Sequence, residues 1–171
     1  MPPRLWSRLT VPLSEVDAPR ILGFWSWLVD RRLVPVELTR FGDWFLIDQR
    51  GAVHRLDALE GKLGPICDSV AEYERRRTQL PELDDWFSEG MVDALDRAGQ
   101  RPGPRQGFGY RVPPIIGGPV SRDNIYIVEL ASWQAFMSRL HEAVRRLPPT
   151  AQILGLETLD DGAIRIVTAG D

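Results

Sequence analysis

The spacing of apolar residues along the chain predicts several β-strands. Residues 44–47 and 125–130 are almost continuously apolar, which is typical of strands covered on both faces. Residues 52–56 alternate in polarity and follow a turn at residues 48–51, where Gly51 permits a positive φ, so the pattern predicts a hairpin. Residues 34–38 predict another strand, and Pro35 favours an edge position because proline donates no ladder hydrogen bond.

The same spacing predicts helices in the first half of the chain. A first helix follows Asp17, which is a suitable cap, and has Pro19 in its first turn. A second begins with the capping box formed by Ser69 and Glu72. Trp27 lies off the apolar stripe of the first helix, so we expect it to reach a neighbouring element or the surface.

Two further helices are predicted in the second half. One runs from about Leu83 to Gly99, which is a typical stop. The other begins at the cap Ser132 and ends before prolines 148 and 149. Its apolar stripe has helical spacing and consists of Trp133, Phe136, Met137, Leu140, Val144 and Leu147.

Rigid turns and loops separate these elements. Residues 110–112 predict a strand that Pro113 and Pro114 stop, after which Gly117 and Gly118 permit an unusual backbone path. Residues 153–159 and 163–168, on either side of residues 160–162, predict a C-terminal hairpin. We expect loops at residues 61–65 and 99–109 and an irregular arm at residues 1–16.

These elements predict an α+β fold in a single domain at residues 17–171. We expect a mostly antiparallel sheet with three to four packed helices and the C-terminal hairpin. The chain has 171 residues, a length that suits one domain with a substantial core. We see no apolar run that would span a bilayer and no signal peptide at the N-terminus, so we expect a cytoplasmic protein that does not bind membranes.

The net charge and the cysteine content argue against several classes of protein function. The formal net charge is −3, which argues against direct nucleic-acid binding through phosphate neutralisation. Cys67 is the single cysteine, so an internal disulfide and a cysteine-rich zinc site are excluded, and we interpret it as a buried, inert thiol. We expect no metal and no cofactor.

The sequence offers no convincing catalytic constellation. His54 and His141 lack metal-ligand spacing, so we expect a surface histidine and a hydrogen-bonded histidine on a helix flank. Asp43, Asp48 and Asp57 suit acid–base chemistry as a group, but turn and cap roles explain them more simply. We therefore predict no catalytic residues and a protein that is not an enzyme.

An acidic stripe is the candidate partner-binding surface. At helical spacing its residues lie on one helix face, which is either a solvated surface or a docking site for a basic partner. The predicted contact residues are Glu82, Asp84, Asp85, Glu89, Asp93 and Asp96. Arg101, Arg105 and Arg111, in and beside the loop at residues 99–109, are a second candidate for partner contact.

Three stretches together carry a family resemblance: FGDWFLID with LDALEG after it, PPIIGGPVSRDNI, and LHEAVRRLPP. The chain resembles the C-terminal domain of the Tdi-type immunity proteins, which protect bacteria against DNase effectors delivered by type VI secretion. The match covers about residues 22–153. This chain differs in lacking room for the N-terminal domain of two-domain members and in its extra hairpin at residues 153–168.

The resemblance implies structural roles for the residues that match the family motifs. The motif residues are Phe41, Gly42, Asp43, Pro113, Pro114, Gly117, Gly118 and Asn124, and the wider match adds Phe45, Asp48, Gly51, Gly61 and His141. It also implies a function: a cytoplasmic immunity protein that binds and occludes a cognate toxin, with a nuclease effector as the expected partner. Two alternatives stay open, namely a small-ligand-binding module or minor enzyme with a pocket near residues 107–118, and a scaffold subunit. The sequence does not determine the oligomeric state.

Overall fold

The structure is a computed structural model that describes residues 3–148, 150–159 and 163–169. Its main sheet has five strands, each antiparallel to its neighbours, arranged in chain order. The strands are β1 (Thr10–Val11), β2 (Val34–Thr39), β3 (Trp44–Ile47), β4 (Val53–Asp57) and β5 (Lys62–Cys67). Two further antiparallel hairpins are formed by β6 (Gln106–Tyr110) with β7 (Ile125–Glu129), and by β8 (Ile153–Thr158) with β9 (Ile164–Thr168).

Six α-helices occur in the described part of the chain, two more than the upper number predicted. They are α1 (Pro3–Leu9), α2 (Ala18–Phe24), α3 (Val70–Arg76), α4 (Leu80–Phe87), α5 (Glu89–Arg97) and α6 (Leu130–Val144). The α+β class, the antiparallel sheet and the C-terminal hairpin are confirmed. The predicted hairpin turn at residues 160–162 lies outside the described residues. No helix among the described residues has the length and apolar character needed to cross a membrane.

Helices cover both faces of the main sheet at its central strand, β3. Trp44 and Phe45 are adjacent in β3, so their side chains point to opposite faces. The Trp44 indole donates to Gln134 of α6, whereas the Phe45 ring packs on Tyr73 of α3 and Phe87 of α4. This two-sided burial is the physical reason for the continuous apolar run, and the prediction of a central strand at residues 44–47 is confirmed.

Several local predictions are also confirmed. Asp17 accepts a hydrogen bond from the Arg20 backbone N–H and caps α2. The Ser69 hydroxyl accepts from the Glu72 backbone N–H at the start of α3. In the β3–β4 turn, Gly51 has a φ of +86°, as the sequence predicts.

The helix predicted at residues 83–98 is in fact two helices. Ser88 adopts a left-handed conformation, with φ 52° and ψ 44°, and separates α4 from α5. The Asp84 carboxylate accepts from the Gly90 backbone N–H at 3.1 Å, which caps the first turn of α5. Because Asp85 lies on α4 whereas Glu89, Asp93 and Asp96 lie on α5, the prediction that these acidic residues share the face of one helix is wrong.

Two predicted irregular segments are ordered instead. Residues 1–16 were expected to form an irregular arm, but they contribute α1 and β1, because Leu9 and Val11 are buried in the core. Residues 61–65 were expected to form a loop but contribute most of β5. That strand lies at the sheet edge, where Pro65 is tolerated.

Two element boundaries also differ from the prediction. The loop predicted at residues 99–109 ends early, because β6 begins at Gln106. Helix α6 begins at Leu130, so Ser132 lies within the helix and does not cap it. The Leu130 backbone N–H donates to the Arg105 carbonyl instead, which satisfies the helix start without a side-chain cap.

Candidate functional site

Three carboxylates from different elements surround the guanidinium of Arg55, which projects from β4. The Asp43 Oδ2 lies 2.6 Å from the Arg55 Nη2. Asp57, at the end of β4, and Asp85, on α4, lie 3.4 and 3.6 Å from the same guanidinium. This Arg55 cluster (Arg55, Asp43, Asp57 and Asp85) combines one positive and three negative side chains, so it has excess negative charge when all are ionised.

Asp43 is the buried member of the Arg55 cluster. Its Oδ2 accepts from Nε and Nη2 of Arg55, and its Oδ1 accepts from the Ala58 backbone N–H at 2.9 Å. Burial raises the pKa of Asp43 to about 6, although the attraction of Arg55 opposes this shift. The carboxylate therefore ties the start of β3 to the end of β4, which agrees with the structural role implied by the resemblance.

A small cavity adjoins Asp43 and bears on the alternative of a small-ligand site. Its volume is about 50 Å³, and Tyr110, Trp133 and Ser88 contribute to its walls. Burial and the nearby Asp43 and Asp57 raise the pKa of Tyr110 to about 12. Pockets that enclose small organic ligands usually measure about 300–1,000 Å³, so this cavity does not favour such a ligand at Asp43.

Arginines of the same chain pair with four of the six predicted contact residues, and three of these pairs are closer than that of Asp85 with Arg55. Glu82 bonds to Arg76 at 3.0 Å. Asp93 and Asp96 lie 3.0 and 3.4 Å from Arg8 of α1. Arg97 and Arg101 add further ion pairs to these two aspartates, at 2.6 and 2.5 Å. Much of the predicted acidic stripe is therefore neutralised within the fold.

The other three predicted contact residues form a more exposed acidic corner where α4 meets α5. We call Asp84, Asp85 and Glu89 the α4–α5 corner. The Asp85 side chain is 72% exposed. Of the three, Asp85 alone has an ion-pair partner among the described residues, and that partner, Arg55, already holds Asp43 and Asp57. The negative charge of the Arg55 cluster thus reaches the surface at this corner.

The Phe41–Gly42–Asp43 motif shapes the approach to β3. Gly42 has a φ of +94°, and its carbonyl accepts from the Gln134 side-chain amide at 2.8 Å. A Cβ at this position would overlap that amide, so the site requires glycine. Phe41 packs against Phe108 and Tyr110, with ring centroids 5.3 and 6.2 Å away.

The Pro113–Gly118 turn is held by one buried side chain, that of Asn124. Its Oδ1 accepts from the Val112 backbone N–H, and its Nδ2 donates to the carbonyls of Val112 and Pro119. Pro114 begins a short 3₁₀ turn that ends at Gly117, where φ is +93°. A Cβ on Gly118 would overlap the Val112 carbonyl. The contacts of these motif residues are local and shape the backbone.

Helix α6 also has a buried polar face, of which only His141 was predicted from the sequence. Gln134, Ser138 and His141 are all buried. The Gln134 Oε1 accepts from the indoles of Trp25 and Trp44, at 2.7 and 3.2 Å. The apolar stripe drew attention to the neighbouring face, although the spacing of these three polar residues by four and three positions is itself helical.

The remaining polar residues of this face bond to neighbouring segments. Ser138 donates to the Phe24 carbonyl and accepts from the Trp27 indole, which reaches a neighbouring element as predicted. His141 bonds to the Ala58 carbonyl at 3.2 Å, and burial lowers its pKa. His141 is thus a hydrogen-bonded helix histidine, as expected.

The other candidate chemical groups have structural surroundings. Half-buried His54 lies 3.2 Å from Asp48, which also accepts two backbone N–H groups in the β3–β4 turn. Asp57 accepts from the Glu60 backbone N–H. Cys67 is buried as predicted, and burial raises its pKa. Within residues 3–148, 150–159 and 163–169, no three His, Cys, Asp or Glu side chains are grouped so as to hold a metal ion.

Comparison with known proteins finds no family model that matches the chain and no curated protein that is similar to it. The resemblance to the immunity-protein domain therefore stays a prediction.

Proposed function

We propose that the protein is a cytoplasmic immunity protein that binds and occludes a cognate secreted toxin, most simply a nuclease effector. The observation that carries this proposal is the excess negative charge of the Arg55 cluster, which reaches the surface at the α4–α5 corner. The motif resemblance described above supplies the biological context.

The charge distribution suits a cationic partner. A nuclease must attract phosphate, so its substrate cleft is positively charged. An acidic corner is steered toward such a cleft and adds specificity to the contact. An arginine or lysine of the toxin that enters beside Asp85 would supply the cation that the three carboxylates of the Arg55 cluster lack. The toxin would be inhibited by exclusion of its nucleic acid, with no chemical step by the immunity protein.

The structure changes which acidic residues should be tested. Asp93 pairs with both Arg8 and Arg97, so its reversal would disturb the packing of α1 on α5. The informative variant reverses the α4–α5 corner alone: Asp84→Arg, Asp85→Arg and Glu89→Arg together. The matched control is Asp30→Arg, because the Asp30 side chain is 48% exposed and follows α2, which packs against α6 and not against α4 or α5.

The experiment co-expresses the protein with the product of the adjacent gene, followed by pull-down and a growth-rescue assay. We expect a complex and restored growth for the wild type and the Asp30→Arg control, and a loss of both for the corner variant. The wild-type association rate should fall with added salt. A folded corner variant that still binds and protects would place the interface elsewhere. A wild-type protein that neither binds nor protects would refute the immunity function for that pair.

A further inference from the structure

A cavity of about 330 Å³ lies between α1, α5, β6 and the loop of residues 99–105. It is separate from the Arg55 cluster and shares no lining residue with the α4–α5 corner. Its volume falls within the range of pockets that hold small organic molecules, about 300–1,000 Å³. Its walls combine cationic and apolar side chains, including Arg8, Arg40, Arg101, Val92, Pro102 and Phe108.

Arg40 is the central observation, because it is a buried cation without a counterion. The residue is 8% exposed. Its Nη1 donates to the carbonyls of Gly103 and Gln106, and its Nη2 donates to the carbonyl of Ser7. Arg40 has no ion-pair partner among the described residues, and burial lowers its pKa. A buried charge balanced only by carbonyl dipoles is costly, and an anion would offset that cost.

The bonding of Arg40 also leaves donors for a ligand. A guanidinium has about five N–H donors in a fixed plane, and three are used in the bonds to Gly103, Gln106 and Ser7. Arg40 lines the cavity, as does Ser7, whose carbonyl accepts from the Arg40 Nη2. Planar guanidinium donors match the oxygens of carboxylates and phosphates, often through two parallel hydrogen bonds.

Two more arginines, Arg8 and Arg101, line the cavity and add positive charge to it. Arg8 and Arg101 share the carboxylate of Asp96, the acidic residue of the lining, and Arg8 also pairs with Asp93 outside it. The Arg101 side chain is 75% exposed, which places its charge at the mouth of the cavity. The lining contains three arginines and one aspartate, so its net charge is positive, and Arg40 is the buried cation among them.

The lining of the cavity also includes apolar side chains. Phe108 comes from β6, Val92 from α5 and Pro102 from the loop. That loop is fixed in place, because the Gly103 backbone N–H donates to the Gln106 Oε1 and the Leu130 N–H donates to the Arg105 carbonyl. A ligand that carries a negative charge on an apolar body matches both the cationic and the apolar lining residues.

We propose that this cavity binds a small organic anion, with a carboxylate or phosphate group on Arg40 and Arg101 and an apolar group against Phe108, Val92 and Pro102. This site gives the arginine-rich loop at residues 99–105 a role. The proposal does not depend on toxin binding, since the full chain alone is sufficient to test it.

The experiment is an NMR titration of the isotope-labelled full chain with phenyl phosphate, benzoate and inorganic phosphate. We expect saturable shifts confined to residues that line the cavity, including Arg40 and Phe108. At least one aromatic anion should bind with a dissociation constant below about 1 mM. Comparison of phenyl phosphate with benzoate identifies the preferred anion, and inorganic phosphate should bind more weakly because it lacks the apolar group.

Variants then separate the cavity from other cationic surfaces. Arg40→Gln should weaken binding at least tenfold, because it removes a charge-assisted hydrogen bond to the anion. If Arg40→Gln does not fold, the exposed Arg101→Gln variant decides, with a roughly threefold or greater loss. Arg122→Gln removes an exposed arginine elsewhere and should leave affinity unchanged. Non-saturable shifts, shifts centred outside the cavity, or equal affinity in Arg101→Gln and Arg122→Gln would overturn the proposal.

Discussion

Gln134 joins α6 to two other parts of the core, and its replacement by methionine tests how much that junction stabilises the fold. Its side chain is fully buried, as are the indoles of Trp25 and Trp44. Methionine preserves the length and unbranched shape of the side chain but removes its amide. The Gln134→Met variant therefore leaves two indole N–H groups and the Gly42 carbonyl without their bonds to Gln134.

The expected loss follows from those three groups. A buried polar group left without a partner costs about 1–3 kcal/mol, so three of them set a range of about 3–9 kcal/mol. Small shifts of the indoles relieve part of this cost, and we therefore expect the lower part of the range, about 3–5 kcal/mol. Domains of this size unfold at a cost of about 5–15 kcal/mol, so the variant should remain folded but much weakened.

Urea unfolding followed by tryptophan fluorescence measures the free energy of unfolding. The control on the same helix is Ser132→Ala at an exposed position, which should change stability by less than about 0.5 kcal/mol. Trp44→Phe should cost less in the Gln134→Met background than in the wild type, because there it removes an unpaired N–H. A loss below about 1 kcal/mol for Gln134→Met, or strict additivity with Trp44→Phe, would refute this account.

Three further predictions concern single residues. Because burial raises the pKa of Asp43 to about 6, the native state binds more protons than the unfolded chain, and the Asp43 contribution to stability falls as pH rises from about 4 to about 6. A ¹³C NMR titration of its carboxyl group should give an apparent pKa near 6, and a value below about 4 would contradict the reasoning. Gly42→Ala should destabilise the fold by about 2–4 kcal/mol in urea unfolding, since it adds backbone strain to an overlap with Gln134, and a neutral effect would contradict it. Ser88→Gly should raise stability by up to about 1 kcal/mol in the same assay, because glycine adopts the left-handed conformation without strain, and a clear loss would show that the Ser88 side chain has a role of its own.

Local patterns predicted much of the fold because the forces behind them are local. The run at residues 44–47 is apolar because both faces of β3 are covered, and the Asp17 and Ser69 caps satisfy the first N–H groups of their own helices. Predictions failed where contacts between distant parts of the chain determine the secondary structure. Residues 10–11 form a strand because they pair with Leu38 and Thr39, and no pattern within those two residues contains that information.

The same distinction explains what was missed around α6. The amphipathic pattern identified Trp133, Met137 and Leu140 as buried, which is correct. Gln134 is polar and was not part of that pattern. The partners that make its burial favourable, Trp25 and Trp44, lie 109 and 90 positions away in the sequence. A buried glutamine is favourable only when such partners are present, so its position could not be derived from the helix alone.

The acidic stripe is the most instructive case for function. A charge count along one helix treats each carboxylate as free, but electrostatic effect depends on the distance to cations from any part of the chain. Arg8 is 85 positions from Asp93, yet their side chains lie 3.0 Å apart. By contrast, Asp85 meets an arginine that two other aspartates already share. Asp93 and Asp85 look equivalent in the sequence, but the arginine beside Asp85 is already shared with two other aspartates. Asp85 is therefore better suited than Asp93 to attract a cationic protein.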